Sequence, residues 1–273
     1  AHSIVGKRDG AALQMVGICC GCCGKEACVM KLRNKFFIAG GILIVSGAVV
    51  SGAAFLAGAG QHYETAEYKT VDIAAENIRI TAEQRDIRVI RGESVKLTYP
   101  EGDGMIFSGK LEGGTYIAEH RRRPEIFGLD FERTNNDMDI VLEIPEGFYG
   151  IIDIYTDMGD ISCSSVSGGM ITLGTGMGDV DTENTAGNMS ISTGMGDISC
   201  GAVSGETVTL ETDLGDIEAE DADGNISVRS SMGDVEIDLS GAEGEYTVNG
   251  KGSGPKKVTA ETDLGDVHIG YMR

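Results

Sequence analysis

Six aspartates in the C-terminal half of the chain each follow a glycine, and their carboxylates are the groups most able to do chemistry. They are Asp160, Asp179, Asp197, Asp216, Asp234 and Asp266. Residues at a repeated position line up when repeats stack, and carboxylate oxygens are the ligands that Ca²⁺ prefers. Asp157, Asp213 and Asp263 lie two positions before their glycines and add further carboxylates. The spacing therefore predicts a ladder of acidic groups that could bind divalent cations.

A structural role for the same carboxylates is the alternative. Adjacent carboxylates about 5 Å apart repel each other by roughly 1–4 kcal/mol, depending on the effective dielectric constant, so something must offset the repulsion. Turns made by glycine leave backbone N–H groups exposed, and aspartate side chains cap such groups. In this interpretation each carboxylate caps the N–H groups of its own turn.

Other candidates for chemistry are weak. The four histidines are scattered and lack the spacing of a nucleophile, a base and an orienting group; they are His2, His62, His120 and His268. Five cysteines, Cys19, Cys20, Cys22, Cys23 and Cys28, have no paired CxxC spacing and no nearby histidine, which disfavours a metal cluster. The sequence therefore predicts no catalytic residues and no obligatory cofactor. A β-helix enzyme that acts on polysaccharides, with carboxylates on adjacent coils, is the alternative.

The elements that must position the aspartates repeat with them. Met or Leu, then Gly-Asp, then Ile or Val occurs six times, with spacings of 19, 18, 19, 18 and 32 residues. Apolar residues recur at offsets 0, 2, 6 and 9 of each copy, as at Ile152, Ile154, Met158 and Ile161. Steps of two on both sides of a glycine corner indicate short strands with one face inward. We expect the Met or Leu to fill the corner of the core.

One such coil cannot bury its own edges, so the coils must stack. The predicted fold is all-β, a single-stack parallel β-solenoid with about 18–19 residues per coil. Cys163 and Cys200 share one offset but lie two coils apart, which puts their Cα atoms about 9–10 Å from each other. That separation exceeds the limit of about 7 Å for a disulfide, so both should be free thiols.

Degenerate copies extend the pattern. Ile78, Ile80, Ile87 and Val89 fall at offsets 0, 2, 9 and 11, which predicts an early coil with Asp86 at its corner. Residues 97–140 are rich in loop-forming residues. Tyr246 and Val248 match offsets 0 and 2 of a coil whose corner has been lost.

A membrane-spanning helix is predicted before the solenoid. Residues 36–60 carry no charge, and as a helix they span about 37 Å, enough for a hydrocarbon core of about 30 Å. Lys25, Lys31, Arg33 and Lys35 precede this segment, so residues 61–273 should lie outside the cell. A cleaved signal peptide is the alternative.

The predicted organisation has four parts. They are a cytoplasmic leader (1–35), the span (36–60), an irregular β lead-in (61–149) and the regular coils (150–273). Met30 begins a basic segment directly before the apolar run, as at a bacterial start site. We hypothesise that residues 1–29 are translated upstream sequence.

Charge limits the possible partners. The net charge is −21, and no Lys or Arg occurs from Thr134 to Val228. Nucleic acid is therefore excluded, because binding it requires basic groups to neutralise phosphates. Arg121, Arg122 and Arg123 form a basic cluster, which is either a solvated loop or a contact for an acidic face.

These features together resemble a known family. An N-terminal span, the segment Ile144–Gly147 (IPEG) and the repeated T-x-x-G-D-[IV] coils are similar to the bacterial putative adhesin family of unknown function, over roughly residues 30 to 273. The resemblance implies a single-pass cell-membrane protein with an extracellular, adhesin-like solenoid. Its implied partners are the lipid bilayer, through residues 36–60, and a surface protein or glycan. The alternative is an accessory protein of the envelope-stress response. An exposed apolar patch on one face would favour the interaction module.

Overall fold

The computed structural model describes residues 67–102, 105–122 and 138–272. Apart from one 3-10 helix, Glu243–Glu245, the regular structure in these ranges consists of β-strands joined in one sheet. The lead-in strands are β1 (Glu67–Asp72), β2 (Asn77–Ala82), β3 (Ile87–Gly92), β4 (Lys96–Glu101), β5 (Met105–Glu112), β6 (Thr115–Arg122) and β7 (Ile140–Pro145). The later strands are β8 (Ile151–Met158), β9 (Ile161–Ser164), β10 (Ser167–Met177), β11 (Val180–Met195), β12 (Ile198–Leu214), β13 (Ile217–Met232), β14 (Val235–Leu239), β15 (Tyr246–Val248), β16 (Lys251–Gly252), β17 (Lys256–Leu264) and β18 (Val267–Tyr271).

The repeats stack in parallel with equivalent residues opposite each other. Ile171 in β10 lies between Ile152 in β8 and Met189 in β11. This register continues through β12, β13 and β17. Beyond the Gly-Asp corner, a second face stacks in the same way from β9 to β18. The predicted β-solenoid is confirmed, because both faces of each coil pair in parallel with the next, with a one-residue shift of register between the faces.

Each coil bends at the Gly-Asp corner and again after the other face, and the sequence indicated only the first of these bends. At the Gly-Asp corner, Gly178, Gly196, Gly215 and Gly233 have φ between 150° and 154°. A second bend follows the other face, where four residues have φ between 50° and 57°; they are Ser165, Asn184, Ala202 and Asp221. Asn and Asp tolerate this left-handed region better than most residues do, so a glycine is not required at the second bend.

The core is a stack of aliphatic side chains from the inward positions of both faces. Ile152, Ile171 and Val208 are fully buried at the same offset in different coils. Cys163 and Cys200 lie on either side of Thr182, one coil away in each direction, and both thiols are free as predicted. Burial raises the pKa of Cys163 to about 12 and that of Cys200 to about 11. Both therefore act as neutral, small core side chains.

The predicted early coil is confirmed, and it lies inside the stack. Ile78 and Ile80 stand opposite Ile152 and Ile154, while Ile87 stands opposite Ile161. On the other side of this coil, β6 pairs with β2 and β7 pairs with β3, both in parallel. The spatial order of the coils thus differs from their order in the chain. Antiparallel pairing of β4 with β7, β1 with β4 and β5 with β6 ends the stack here.

The prediction of an extra coil at Tyr246 and Val248 is wrong. β13 pairs directly with β17, with Ile226 opposite Val258, so the 32-residue spacing is absorbed by a loop. In that loop β15 pairs with β16 and with the first residues of β17.

Lys256 fastens this loop to the stack. Its ammonium group lies 2.5 Å from Asp223 and 3.3 Å from Glu245, and it sits over the ring of Tyr246. The contact with Lys256 lowers the pKa of the Asp223 carboxyl. This ion-paired loop replaces the coil that the sequence pattern suggested.

The predicted leader with its cysteines (1–35) and the predicted span (36–60) lie outside the described residues. In the part of the chain that the structure does describe, no helix is long and apolar enough to cross a membrane.

Candidate functional site

The six predicted aspartates form a continuous ladder along the Gly-Asp corner. The carboxylate Oδ1 of each one except Asp266, the last, accepts a hydrogen bond from the backbone N–H of the aspartate in the following coil, at 2.7 to 2.9 Å. Asp86 of the early coil begins the ladder by accepting from the N–H of Asp160. The aspartates cap backbone N–H groups as predicted, but the predicted location of those N–H groups is wrong. The capped amide belongs to the next coil and not to the same turn, because in-register stacking brings that amide directly above the carboxylate.

The ladder commits one oxygen of most of its carboxylates to a backbone amide. Among the described residues, no group of three or more His, Cys, Asp or Glu side chains is arranged to hold a metal ion. Asp157 and Asp213 are exposed beside the corner, and Asp263 is paired with Arg229 at 3.0 Å. Cation binding by the ladder therefore stays a prediction.

A row of threonines and one serine supports the same corner, and sequence analysis missed its role. Thr175 donates its hydroxyl hydrogen bond to the carbonyl of Gly159, Thr193 to that of Gly178 and Thr212 to that of Gly196. Ser230 and Thr262 repeat the contact in later coils. The signal was present in the T-x-x-G-D motif, since steps of two from the first apolar residue place this hydroxyl on the inward face.

The Met or Leu of each repeat lies on the surface and not in the core as predicted. These residues are Met158, Met177, Met195, Leu214, Met232 and Leu264, with 38% to 66% of each exposed. The alternation of inward and outward residues stops at the preceding threonine or serine, because the backbone turns outward around the glycine. We call these six residues the apolar stripe.

The apolar stripe is continuous along the stack. Met177 stands opposite Met158 on one side and Met195 on the other. Leu214, Met232 and Leu264 continue the row in the same register. With strands about 4.8 Å apart, six residues in a row extend over about 24 Å. An exposed apolar row of this length indicates a contact surface.

Carboxylates border the apolar stripe along the whole of its ladder side, and on the other side at Asp157, Asp213 and Asp263. The aspartate ladder lies two residues after it, and the outward positions of the next face carry further acidic side chains; they are Asp181, Glu183, Glu218, Glu220, Glu236 and Asp238. Burial raises the pKa of the Asp181 carboxyl, and the nearby charges of Asp179 and Asp160 raise it further. The border is therefore crowded enough for its negative charges to repel one another.

The histidines that the structure describes, His120 and His268, lie at opposite ends of the stack. His120 is buried at one end of the stack, where its Nε2 lies 3.2 Å from the carbonyl oxygen of Pro100, and desolvation lowers its pKa. His268 lies in β18 at the other end. His2 and His62 are outside the described residues.

Two of the three arginines of the basic cluster lie within the described residues. Arg121 pairs with Glu119, and the backbone N–H of Arg122 donates to Glu83 at 2.7 Å. Arg123 is outside the described residues. A solvated loop and a contact for an acidic face therefore both stay predictions for this cluster.

Comparison with known proteins places these features in context. A putative adhesin from Bacteroides fragilis is 13% identical, with 76% of this chain and 97% of that chain covered and a TM-score of 0.47. A putative lipid binding protein from Parabacteroides distasonis is 15% identical, with 77% and 98% covered and a TM-score of 0.36. No curated protein matches the chain. The model of one protein family, Toastrack DUF4097, matches residues 71–271.

Proposed function

Since the chain belongs to the Toastrack DUF4097 family, we propose that it is a non-catalytic, adhesin-like interaction module displayed outside the cell on a membrane anchor. The resemblance found in the sequence is thereby confirmed at the level of the family. The observation that carries the proposal is the apolar stripe, which is exposed over six consecutive coils.

The energetics favour a protein partner for the stripe. Complete burial of a Met or Leu side chain contributes about 1.5–3 kcal/mol, so finishing the burial of a half-exposed one contributes roughly half of that value. Several such contacts in a row can offset the cost of association. The stack holds the side chains in fixed register, because the aspartate ladder and the hydroxyl row tie each corner to the next.

We expect a stripe variant to lose its partner. Met177→Thr, Met195→Thr and Leu214→Thr together remove apolar contact area from three coils, and threonine suits a strand. The matched control changes three outward serines that lie outside the stripe and its acidic border: Ser190→Thr, Ser204→Thr and Ser227→Thr. A photocrosslinking residue replaces Met232 in the wild-type, stripe-variant and control backgrounds, each expressed in intact cells.

The wild-type and control chains should form the same crosslinked adduct, and the stripe variant should lose at least nine tenths of it. The purified partner should then bind the stripe variant at least tenfold more weakly than the control. An adduct of equal yield in the stripe variant, at equal expression and equal urea midpoint, would show that the stripe is not the contact surface.

Residues 36–60 are proposed as the anchor from their sequence alone. Ile44→Arg places a charge at the centre of the apolar run, which costs about 3 kcal/mol of insertion free energy. The wild-type chain should stay in the membrane pellet after alkaline carbonate washing, and external protease should degrade the coils in intact cells. The arginine variant should reach the membrane in smaller amounts. A mature chain that begins near residue 60 would instead establish cleavage of a signal peptide, and coils protected from external protease would contradict display outside the cell.

A further inference from the structure

The side chains of the apolar stripe can adapt to a partner's shape. Four of its six residues are methionine, whose unbranched thioether fits irregular surfaces better than branched side chains do. Methionine-rich surfaces of this kind accept amphipathic helices through an apolar face. A row only one residue wide is, however, too narrow to bind a broad apolar surface, so the shape of the occupant must be linear.

The spacing of the stripe distinguishes a helix from a strand. Its side chains repeat about every 4.8 Å, whereas the apolar ridge of an α-helix repeats about every 5.4 Å, once per turn. Side chains on one face of a β-strand repeat about every 6.6 Å, which is a poorer match. A length of about 24 Å corresponds to about 16 helical residues, or a little over four turns.

The backbone at the corner is also unsuited to the addition of a strand. The carbonyl of Met195 accepts the N–H of Gly178, and the carbonyl of Leu214 accepts the N–H of Gly196, each at 2.9 Å. The N–H of Asp197 already donates to the carboxylate of Asp179. These groups are paired between coils, so a strand approaching from the side would find them occupied.

Charge decides the polar face of the helix. The aspartate ladder follows the whole stripe on one side. The other side carries exposed carboxylates in two coils, at Asp157 and Asp213, and Asp263 there is paired with Arg229. The whole chain has a net charge of −21. An acidic partner or an anionic lipid surface would be repelled. Lys or Arg side chains on the flank of an apolar ridge that faces the ladder would lie against these carboxylates and relieve their mutual repulsion.

We propose that the apolar stripe binds a basic amphipathic α-helix of about four turns on a partner protein, with the apolar ridge along the methionines and Lys or Arg over the bordering aspartates. This inference rests on the proposed function and adds the chemistry of the partner to it. It also accounts for the conjunction, in each of the six coils, of an exposed Met or Leu with a ladder aspartate two residues later.

Titration with designed peptides tests the inference. The full chain is held in zwitterionic nanodiscs, with empty nanodiscs as the blank. The probe is an 18-residue labelled peptide with Leu at i, i+3, i+4 and i+7 positions and Lys on both flanks. The comparison peptides are a scrambled sequence of the same composition, a version with Glu in place of Lys, and a version with a central proline. Binding is measured by fluorescence anisotropy at several salt concentrations.

We expect micromolar binding of the basic helical peptide that weakens as salt is added, and at least tenfold weaker binding of each comparison peptide. The Met177→Thr, Met195→Thr, Leu214→Thr variant should bind the basic helix at least tenfold more weakly, and the serine control should bind it as the wild type does. Equal binding of the scrambled peptide, or of the stripe variant, would overturn the inference, as would a dimer in sedimentation that buries the stripe.

The two proposals can fail separately. If crosslinking of a partner depends on the stripe but the protein binds none of the four peptides, the proposed function is retained and the helix is rejected. If crosslinking in cells did not depend on the stripe but the basic peptide still bound to it, the cellular role would be rejected and the helix site retained.

Discussion

Replacing Gly196 with alanine is expected to lower the free energy of unfolding by about 2–6 kcal/mol, since backbone strain and overpacking each cost about 1–3 kcal/mol. The new Cβ would lie 2.0 Å from the carbonyl oxygen of Gly178 in the preceding coil, far inside van der Waals contact. The backbone φ of 150° at this position is also unfavourable for a residue with a side chain. The two coils would have to separate, which would break the hydrogen bonds of the corner. Urea unfolding followed by far-UV circular dichroism measures the effect.

Gly244→Ala provides the matched control. Nothing lies within 4 Å of a Cβ at Gly244, and the residue is in the 3-10 helix away from the corner. Its free energy of unfolding should change by less than about 0.5 kcal/mol, as for most surface substitutions. Similar urea midpoints for the two variants would mean that the coils can separate locally without cost, against the close packing described above.

Removing three consecutive carboxylates of the ladder is expected to lower the free energy of unfolding by about 3 kcal/mol, because each hydrogen bond from an amide to a carboxylate contributes about 1 kcal/mol or more. The variant is Asp179→Ala, Asp197→Ala and Asp216→Ala, which removes the acceptors for three amides of the following coils. The asparagine version of the same three positions keeps an oxygen at each acceptor position and removes three like charges. It should retain most of the stability, and at low salt it should equal or exceed the wild type.

This comparison separates capping from charge. If the asparagine variant were as unstable as the alanine variant, hydrogen bonding by Oδ1 could not be the main contribution of the ladder. Calcium titration of the same proteins tests the remaining prediction of cation binding. A melting temperature that rises with Ca²⁺ in the wild type, but not in the asparagine variant, would support it. No shift in the wild type would reject it.

The two corner features have different consequences for function. The aspartate ladder and the hydroxyl row connect neighbouring coils, so they fix the spacing of whatever projects from the corner. The apolar stripe projects from the corner, and packing of the core does not explain why its side chains are exposed to solvent. The stability of the stack and the proposed recognition therefore share one motif, in which Gly and Asp build the corner and Met or Leu presents an apolar side chain.

Much of the fold follows from sequence because in-register stacking makes local pattern sufficient. When each coil repeats the one before it, the offsets of Ile152, Ile154 and Ile161 predict which residues will be buried in every copy. The same reasoning located the early coil at Ile78 and kept Cys163 and Cys200 apart as free thiols. Period and alternation are properties of the chain alone, and the core depends on little else.

Three features were decided only by the tertiary structure. The direction of the Met or Leu side chain depends on how the backbone turns around the glycine, and a period of two cannot represent that turn. The partner of each carboxylate lies in the following coil, which becomes a neighbour only after stacking. The position of the β6 and β7 coil beyond β2 and β3 depends on pairing between distant segments. Sequence therefore determined the repeating unit, whereas contacts between units determined which of its residues are left exposed at the corner.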